Sequence, residues 1–226
     1  VGVSAQQWGI HSLTGLRRWN PERYGSLDVT ADSSLLQDQL CFDIYSQAIM
    51  ALKGKQKVSP MGNLKPEIII ATGHSRSAFM LTRYYNFIQP VIEIIDGFMI
   101  RGAGGKLRTD IPAKVFKINA ETDLIELFQV PVRQHDTDRI ITWEFPGTSH
   151  ADQTFLDSYS AICKRDFGSF NHKDCNLPRC SLIPFYYGFA AALDHLTRWI
   201  GDNMVPPSGI QISVLQTNPL VIVGRD

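Results

Sequence analysis

Two apolar patterns alternate along this chain: short unbroken runs, and longer stretches in which apolar positions return every three or four residues. The runs predict strands and the periodic stretches predict helices. Val1 to Ser4 has the character of the tail of a buried strand, and residues 15–24, with Arg17, Arg18, Asn20 and Pro21, that of a polar loop. From Ser34 onward Leu36, Leu40, Ile44, Ala48 and Leu52 hold helical spacing, with Ser34 and Gln37 as a capping box and Gly54 as the stop. Residues 55–65 are polar and contain Pro60, Gly62 and Asn63, which predicts a loop. Glu67 to Ala71 then runs apolar without alternation, the pattern of a strand buried on both faces.

Gly73-His74-Ser75-Arg76-Ser77 follows at once, and Ala78, Met80, Leu81, Tyr84, Tyr85 and Phe87 restore helical periodicity up to Pro90. Phe98 to Ile100 is a further run, closed by the glycine-rich segment 102–105. Ala113 to Asn119 alternates, and Arg139 to Phe145 is rich in β-formers before Pro146-Gly147. Phe185 to Ile200 is periodic, with Phe189, Leu193, Leu196 and Ile200 on one face, and stops at Gly201. Leu220 to Val223 is a last strand-like run with no partner evident. No internal repeat is present. Strands recurring between helices predict a single α/β domain over residues 1–226, its mostly parallel sheet flanked by helices.

Composition narrows the function classes. Hydrophobic residues make up 44% of the 226, enough to offset the entropy of ordering a packed core, which excludes global disorder. Lys+Arg 22 balances Asp+Glu 22, so no basic field exists to attract a polyanion, and nucleic acid is not an expected partner. Glu67, Glu93, Asp96 and Arg101 interrupt the most apolar stretches well short of the ~20 residues that cross a bilayer, so no membrane span is expected. Of four cysteines, Cys163, Cys175 and Cys180 cluster in a polar stretch with little core of its own. One disulfide among them would restrain it and would point to an exported protein, secreted or periplasmic. The alternative is buried free thiols in a cytosolic one.

The chemistry centres on residues 73–77. A strand running into Gly-x-Ser-x-small and then a helix is the pattern of a nucleophile elbow, where a serine sits on a strained turn and small residues two before and two after it let the helix approach the strand. Gly73, Ser75 and Ser77 fill those places, Ser77 standing where glycine is commoner. The competing account is an ordinary strand-to-helix turn with a capping serine. An elbow requires an acid after a later strand and then a histidine after the next. Both are present in that order: Glu121 and Asp123 follow the run ending at Asn119, and His150 follows the run ending at Phe145. At the carboxyl edge of a parallel sheet the three would converge.

Roles follow from the acid–base chemistry. A serine hydroxyl is a poor nucleophile at neutral pH, so His150 would take its proton as general base and return it to the leaving group, while the acid fixes the imidazole tautomer. Asp123 is preferred for that place and Glu121 is the alternative, since an offset of two residues in one loop is not resolved by spacing. The backbone N–H of Arg76, the residue after the nucleophile, would be one oxyanion donor.

These residues, with Asp96-Gly97-Phe98, Trp143-Glu144 and Gly147-Thr148-Ser149-His150-Ala151-Asp152, resemble the alpha/beta hydrolase domain family of predicted serine esterases. Val3 to Gln6, Pro21 to Tyr24 and Phe42 to Ile44 fit the same pattern, so the resemblance covers most of the chain. It implies a carboxylic-ester hydrolase acting on a small-molecule ester, with Ser75 and His150 as nucleophile and base. The departures are Ser77 and the cysteine-bearing stretch 163–180, which bear on the substrate side of the pocket. Against that pattern the chain is expected to lack the first strands of the fold and to be truncated at both ends, because only Val1 to Val3 and one helix precede the strand before Ser75.

Other candidates carry less. His74 is expected to be a packing or pocket-wall residue, and His11, His135, His172 and His195 lack metal-ligand spacing, so neither a metal nor a cofactor is expected. Residues 102–105 lack the lysine and serine of a phosphate-binding loop and predict a flexible loop. Tyr84-Tyr85 and Tyr186-Tyr187 predict helix faces, and Glu121 with Asp123 sit too close to serve as paired glycosidase carboxylates. The functional expectation is a serine hydrolase cleaving a carboxylic ester through an acyl-serine intermediate. Its alternative is a non-catalytic protein of the same fold that binds a ligand or partner.

Overall fold

A computed structural model describes residues 1–34, 38–54, 60–169, 180–217 and 220–222. The chain divides into two compact units, Val1–Glu67 and Ile68–Asp226. The first unit is helical among the described residues: α1 (Gln7–His11), α2 (Leu16–Trp19), α3 (Pro21–Tyr24) and α4 (Cys41–Leu52). Residues 1–5 form no strand and Val1 is exposed, so the expected strand tail is absent. The expected loop at 15–24 instead winds into two short helical turns. Asn20 caps the second, accepting the N–H of Arg23, and Pro21 supplies the fixed φ of its first position.

The helix expected from Ser34 begins at Cys41. Ser34 lies in a turn, where its hydroxyl donates to Ala31 O, and Ala31, Asp32 and Ser33 all have positive φ, which no helix continues. Gln37, the other half of the expected capping box, lies outside the described residues. Gly54, at φ 71°, ends α4 as expected.

The second unit contains β1 (Ile70–His74), α5 (Arg76–Phe87), α6 (Gln89–Ile92), β2 (Gly97–Arg101), β3 (Lys114–Ala120), α7 (Glu121–Glu126) and β4 (Ile140–Phe145). These are followed by α8 (Gln153–Phe167), α9 (Phe185–Gly201), β5 (Val214–Thr217) and β6 (Leu220–Ile222). Strands β1 to β4 form one parallel sheet in sequential order. Every carboxyl end therefore lies on the same edge, and every connection after a strand starts there. β1 begins three residues later than its apolar run and is not buried on both faces: it is a terminal strand of this sheet and leaves Thr72 exposed. β3 is buried along nearly its whole length rather than alternating, because it lies inside the sheet with layers on both faces.

Alternation sorts the strand residues onto two faces. Met99, Phe116, Ile118, Ala120 and Ile141 join Phe185, Ala192, Leu196 and Trp199 of α9 in one core, with Phe189, Leu193 and Ile200 partly buried against it. Gly97 belongs to this face, and the Ile200 side chain occupies the space a Cβ would need. On the other face Tyr85 of α5 meets Phe98 edge-on at 5.0 Å. Helix α8 was not expected from the sequence. Asp152 starts it, one carboxylate oxygen accepting the N–H of Phe155 and the other the N–H of Phe185, which ties the starts of α8 and α9 together. Leu220–Ile222 has a partner after all: it pairs antiparallel with Val214–Thr217. Among the described residues no strand precedes β1, and no helix is long and apolar enough to cross a membrane.

Candidate active site

Ser75 sits between the end of β1 and the first residue of α5 with φ 57° and ψ −123°, a conformation that costs a non-glycine residue of the order of 1–3 kcal/mol and persists only where its surroundings enforce it. Two neighbours do so. The N–H of Ser75 donates to Arg101 O at 3.0 Å, extending the β1–β2 ladder by one bond, and its own carbonyl accepts from Phe79 N in the first turn of α5. Gly73 is required by the same turn. A Cβ there would lie 2.7 Å from the Ser77 carbonyl oxygen and 2.9 Å from the Ala78 nitrogen. The close approach thus involves the backbone of Ser77, whose side chain is exposed, which explains why serine is accommodated where glycine is commoner. Arg76 opens α5, where helix geometry gives an N–H no intrahelical acceptor.

Asp123 and His150 come together at the same edge of the sheet. Asp123 lies in the first turn of α7 and is 1% exposed; its Oδ1 is 2.6 Å from His150 Nδ1, and its Oδ2 accepts the N–H of Ala120 at 2.6 Å. A carboxylate held this way presents one oxygen to the imidazole edge and directs the other ring nitrogen outward. Glu121 is placed elsewhere: its Oε2 accepts the N–H of Gly147 at 2.9 Å, bracing the loop that carries the histidine. Of the two candidate acids, only Asp123 is hydrogen-bonded to the imidazole. Ser75 Oγ has no hydrogen bond to His150 among the described residues, and in sites of this kind that bond commonly tightens only with substrate.

Four residues without an assigned role in the sequence reading shape the pair or the loop that carries His150. Thr122 Oγ1 accepts the N–H of His150 at 2.7 Å. Arg101 donates from Nη2 to the carbonyl of His150 at 3.2 Å, with its guanidinium 4.1 Å over the Phe185 ring. Gly102, at φ 70°, passes so close that a Cβ would lie 2.9 Å from Asp123 Oδ2 and 3.0 Å from His150 Nδ1. The glycine-rich segment expected to be flexible therefore contains a position fitted against the acid and histidine. The fourth residue, Asp152, lies two places past His150 and acts on that loop rather than on the pair itself, by accepting the N–H groups of Phe155 and Phe185. Glycine spacing after a strand and an Asp three residues before Phe155 are the only signals the sequence offers for these, and neither specifies what is touched.

His74 packs against His150, with ring centroids 4.4 Å apart and planes at 37°. Burial, and then the positive charge of Arg101, lower its pKa to about 4, so it is neutral at physiological pH. A cleft of about 860 Å³ runs along β4 between Glu121, Trp143, Phe145 and Ile212, but none of Ser75, Asp123 and His150 lines it. Cys163 is a buried free thiol on α8; Cys175, on which the expected disulfide also depends, lies outside the described residues, as does His172.

No curated protein and no solved structure matches the chain. The family model described as alpha/beta hydrolase domain matches residues 1–225, nearly the full length. With a parallel sheet flanked by helices and a strained serine between strand and helix at its carboxyl edge, the chain belongs to the alpha/beta hydrolase domain family.

Proposed function

We propose that this chain is a serine hydrolase that cleaves a carboxylic ester through an acyl-serine intermediate, with Ser75 as nucleophile, His150 as general base and Asp123 as the residue that orients the imidazole. The observation that carries the reading is the 2.6 Å contact between Asp123 Oδ1 and His150 Nδ1, at the same sheet edge as a serine held at positive φ. An aspartate on Nδ1 keeps the proton there and leaves Nε2 as the basic atom.

In the first half-reaction Ser75 Oγ attacks the ester carbonyl carbon and passes its proton to His150 Nε2. The carbonyl oxygen takes the negative charge, for which the N–H of Arg76 is the proposed donor. Collapse breaks the bond to the leaving oxygen, which departs as the alcohol with the proton from His150. In the second half-reaction His150 takes a proton from water, the hydroxyl oxygen attacks the acyl carbon, and release of the carboxylic acid returns the proton to Ser75.

A fluorophosphonate probe tests this directly, because it labels a serine only when a base activates it. Labelling of the intact chain that disappears in Ser75→Ala and in His150→Ala, with p-nitrophenyl butyrate hydrolysis lost in parallel, is the expected result. An unlabelled, folded chain would leave the non-catalytic binding protein as the better account.

A further inference from the structure

His74 immediately precedes the nucleophile, and its side chain occupies a defined place. Its ring lies 4.4 Å from that of His150, and Phe155 of α8 meets it edge-on at 6.2 Å with planes at 84°. Its Nε2 is buried without a hydrogen-bond partner. A buried nitrogen left unpaired costs free energy, and such groups call for an explanation in function.

Asp123 restrains only one edge of the His150 imidazole. A single hydrogen bond to Nδ1 leaves the ring free to swing about that contact, and a swing displaces Nε2, the atom that must meet the serine proton. Packing a second ring against one face removes that freedom. We propose that His74 is a positioning residue for His150, its ring acting as a plate that sets the plane in which the imidazole presents Nε2 toward Ser75. The inference rests on the reading of His150 as the general base.

A plate in this place must stay neutral, because His150 becomes an imidazolium during turnover and a second cation 4.4 Å away would oppose that charge. The charged and titratable groups facing His74 are Arg101 from β2, Asp123 from α7 and His150 itself, while α8 contributes the apolar Phe155. Burial and the Arg101 cation outweigh Asp123 and hold His74 neutral. A phenylalanine would reproduce the plate and its neutrality. Alanine would stay neutral and lose the plate.

The test compares wild type, His74→Phe and His74→Ala in p-nitrophenyl butyrate hydrolysis and in the downfield proton NMR signal of the His150 Nδ1–H. His74→Ala is expected to lower kcat by about 10²-fold with KM little changed, the scale of loss when a reacting group is slightly misplaced. His74→Phe is expected to recover most of that loss. The Nδ1–H signal should persist in wild type and His74→Phe and broaden into water exchange in His74→Ala. A folded His74→Ala with unchanged kcat and an unchanged signal would overturn the proposal, as would a His74→Phe no better than alanine. If alanine unfolds the chain, His74→Gln, which keeps a polar side chain without the ring, has the same expected outcome. The NMR arm needs no turnover, so it decides the positioning claim even if wild type hydrolyses nothing and the hydrolase reading fails.

Discussion

Arg101 holds both the proposed nucleophile and the proposed base: its carbonyl accepts the N–H of Ser75 at 3.0 Å, and its guanidinium donates to the carbonyl of His150 at 3.2 Å. The end of β2 thereby connects two loops that lie far apart in sequence. Arg101→Met keeps an apolar stem over Phe185 and removes both the donor and the charge. Hydrolysis should fall by about an order of magnitude as the histidine loop loosens. Because the Arg101 cation is the second largest influence lowering the His74 pKa, the His74 titration should move up from about 4 while burial keeps it below 6.5. An unmoved His74 midpoint, followed by NMR, would contradict that coupling.

The two carboxylates at the start of α7 should behave differently. Asp123→Asn presents an amide to His150 Nδ1 and favours the wrong tautomer, so kcat should drop on the order of 10⁴-fold. Glu121→Gln can keep an oxygen for the Gly147 N–H and should cost far less. Comparable losses from both would place the acid wrongly.

Gly102→Ala should damage the site although Gly102 itself has no side chain to take part in the proposed reaction. The added methyl would press on Asp123 and His150, and φ 70° disfavours any side chain, so a stability loss of about 1–3 kcal/mol is expected together with loss of the Asp123–His150 hydrogen bond. Denaturant melts and the Nδ1–H proton signal report the two effects separately. A variant as stable and as active as wild type would refute the close approach.

Lys117 is a surplus cation in the interior. It is 4% exposed on β3, and burial lowers its pKa to about 8 despite the attraction of Glu144, which is already paired through two hydrogen bonds to Arg133. Below pH 8 the folded chain holds this charge at a cost that the unfolded chain does not bear. Lys117→Met should therefore stabilise the protein at pH 7 by roughly 1 to 4 kcal/mol. From pH 8 to 10.5 the folded lysine is already neutral while the unfolded one still binds a proton, so wild-type stability rises with pH and the advantage of methionine shrinks. Chemical denaturation at pH 7 and pH 10 measures both; an advantage that grows with pH would refute the assignment.

His74 predicts the opposite end of the pH scale. Its folded pKa of about 4 lies below the ordinary 6.5, so between those values the unfolded chain binds the extra proton and stability falls as pH is lowered. His74→Phe removes this contribution and should flatten the stability curve over that window. Parallel curves for wild type and variant would show that His74 does not titrate there.

Local pattern alone marked the segments of β1 to β4, α5 and α9 in the second unit, and it singled out the elbow residues. Those signals are local: an unbroken apolar run, a 3.6-residue period, a glycine two places before a serine. The helix at 153–167 escaped because much of its apolar surface is exposed and its stabilising cap, Asp152, also belongs to a contact with α9. Expectations for the first unit missed its short helical turns, whose caps rest on single residues such as Asn20.

Tertiary structure alone decided which carboxylate meets His150. Asp123 and Glu121 are two residues apart at the start of one helix, and only the fold directs one toward His150 Nδ1 and the other toward Gly147. The same holds for Arg101, Gly102 and His74. Each acts on His150 across a long stretch of sequence, because parallel pairing brings the ends of β1, β2, β3 and β4 to one edge. Residue order can show that a serine, an acid and a histidine occur in the right succession; contact geometry at that edge, which packing of the whole sheet sets, decides which atoms meet.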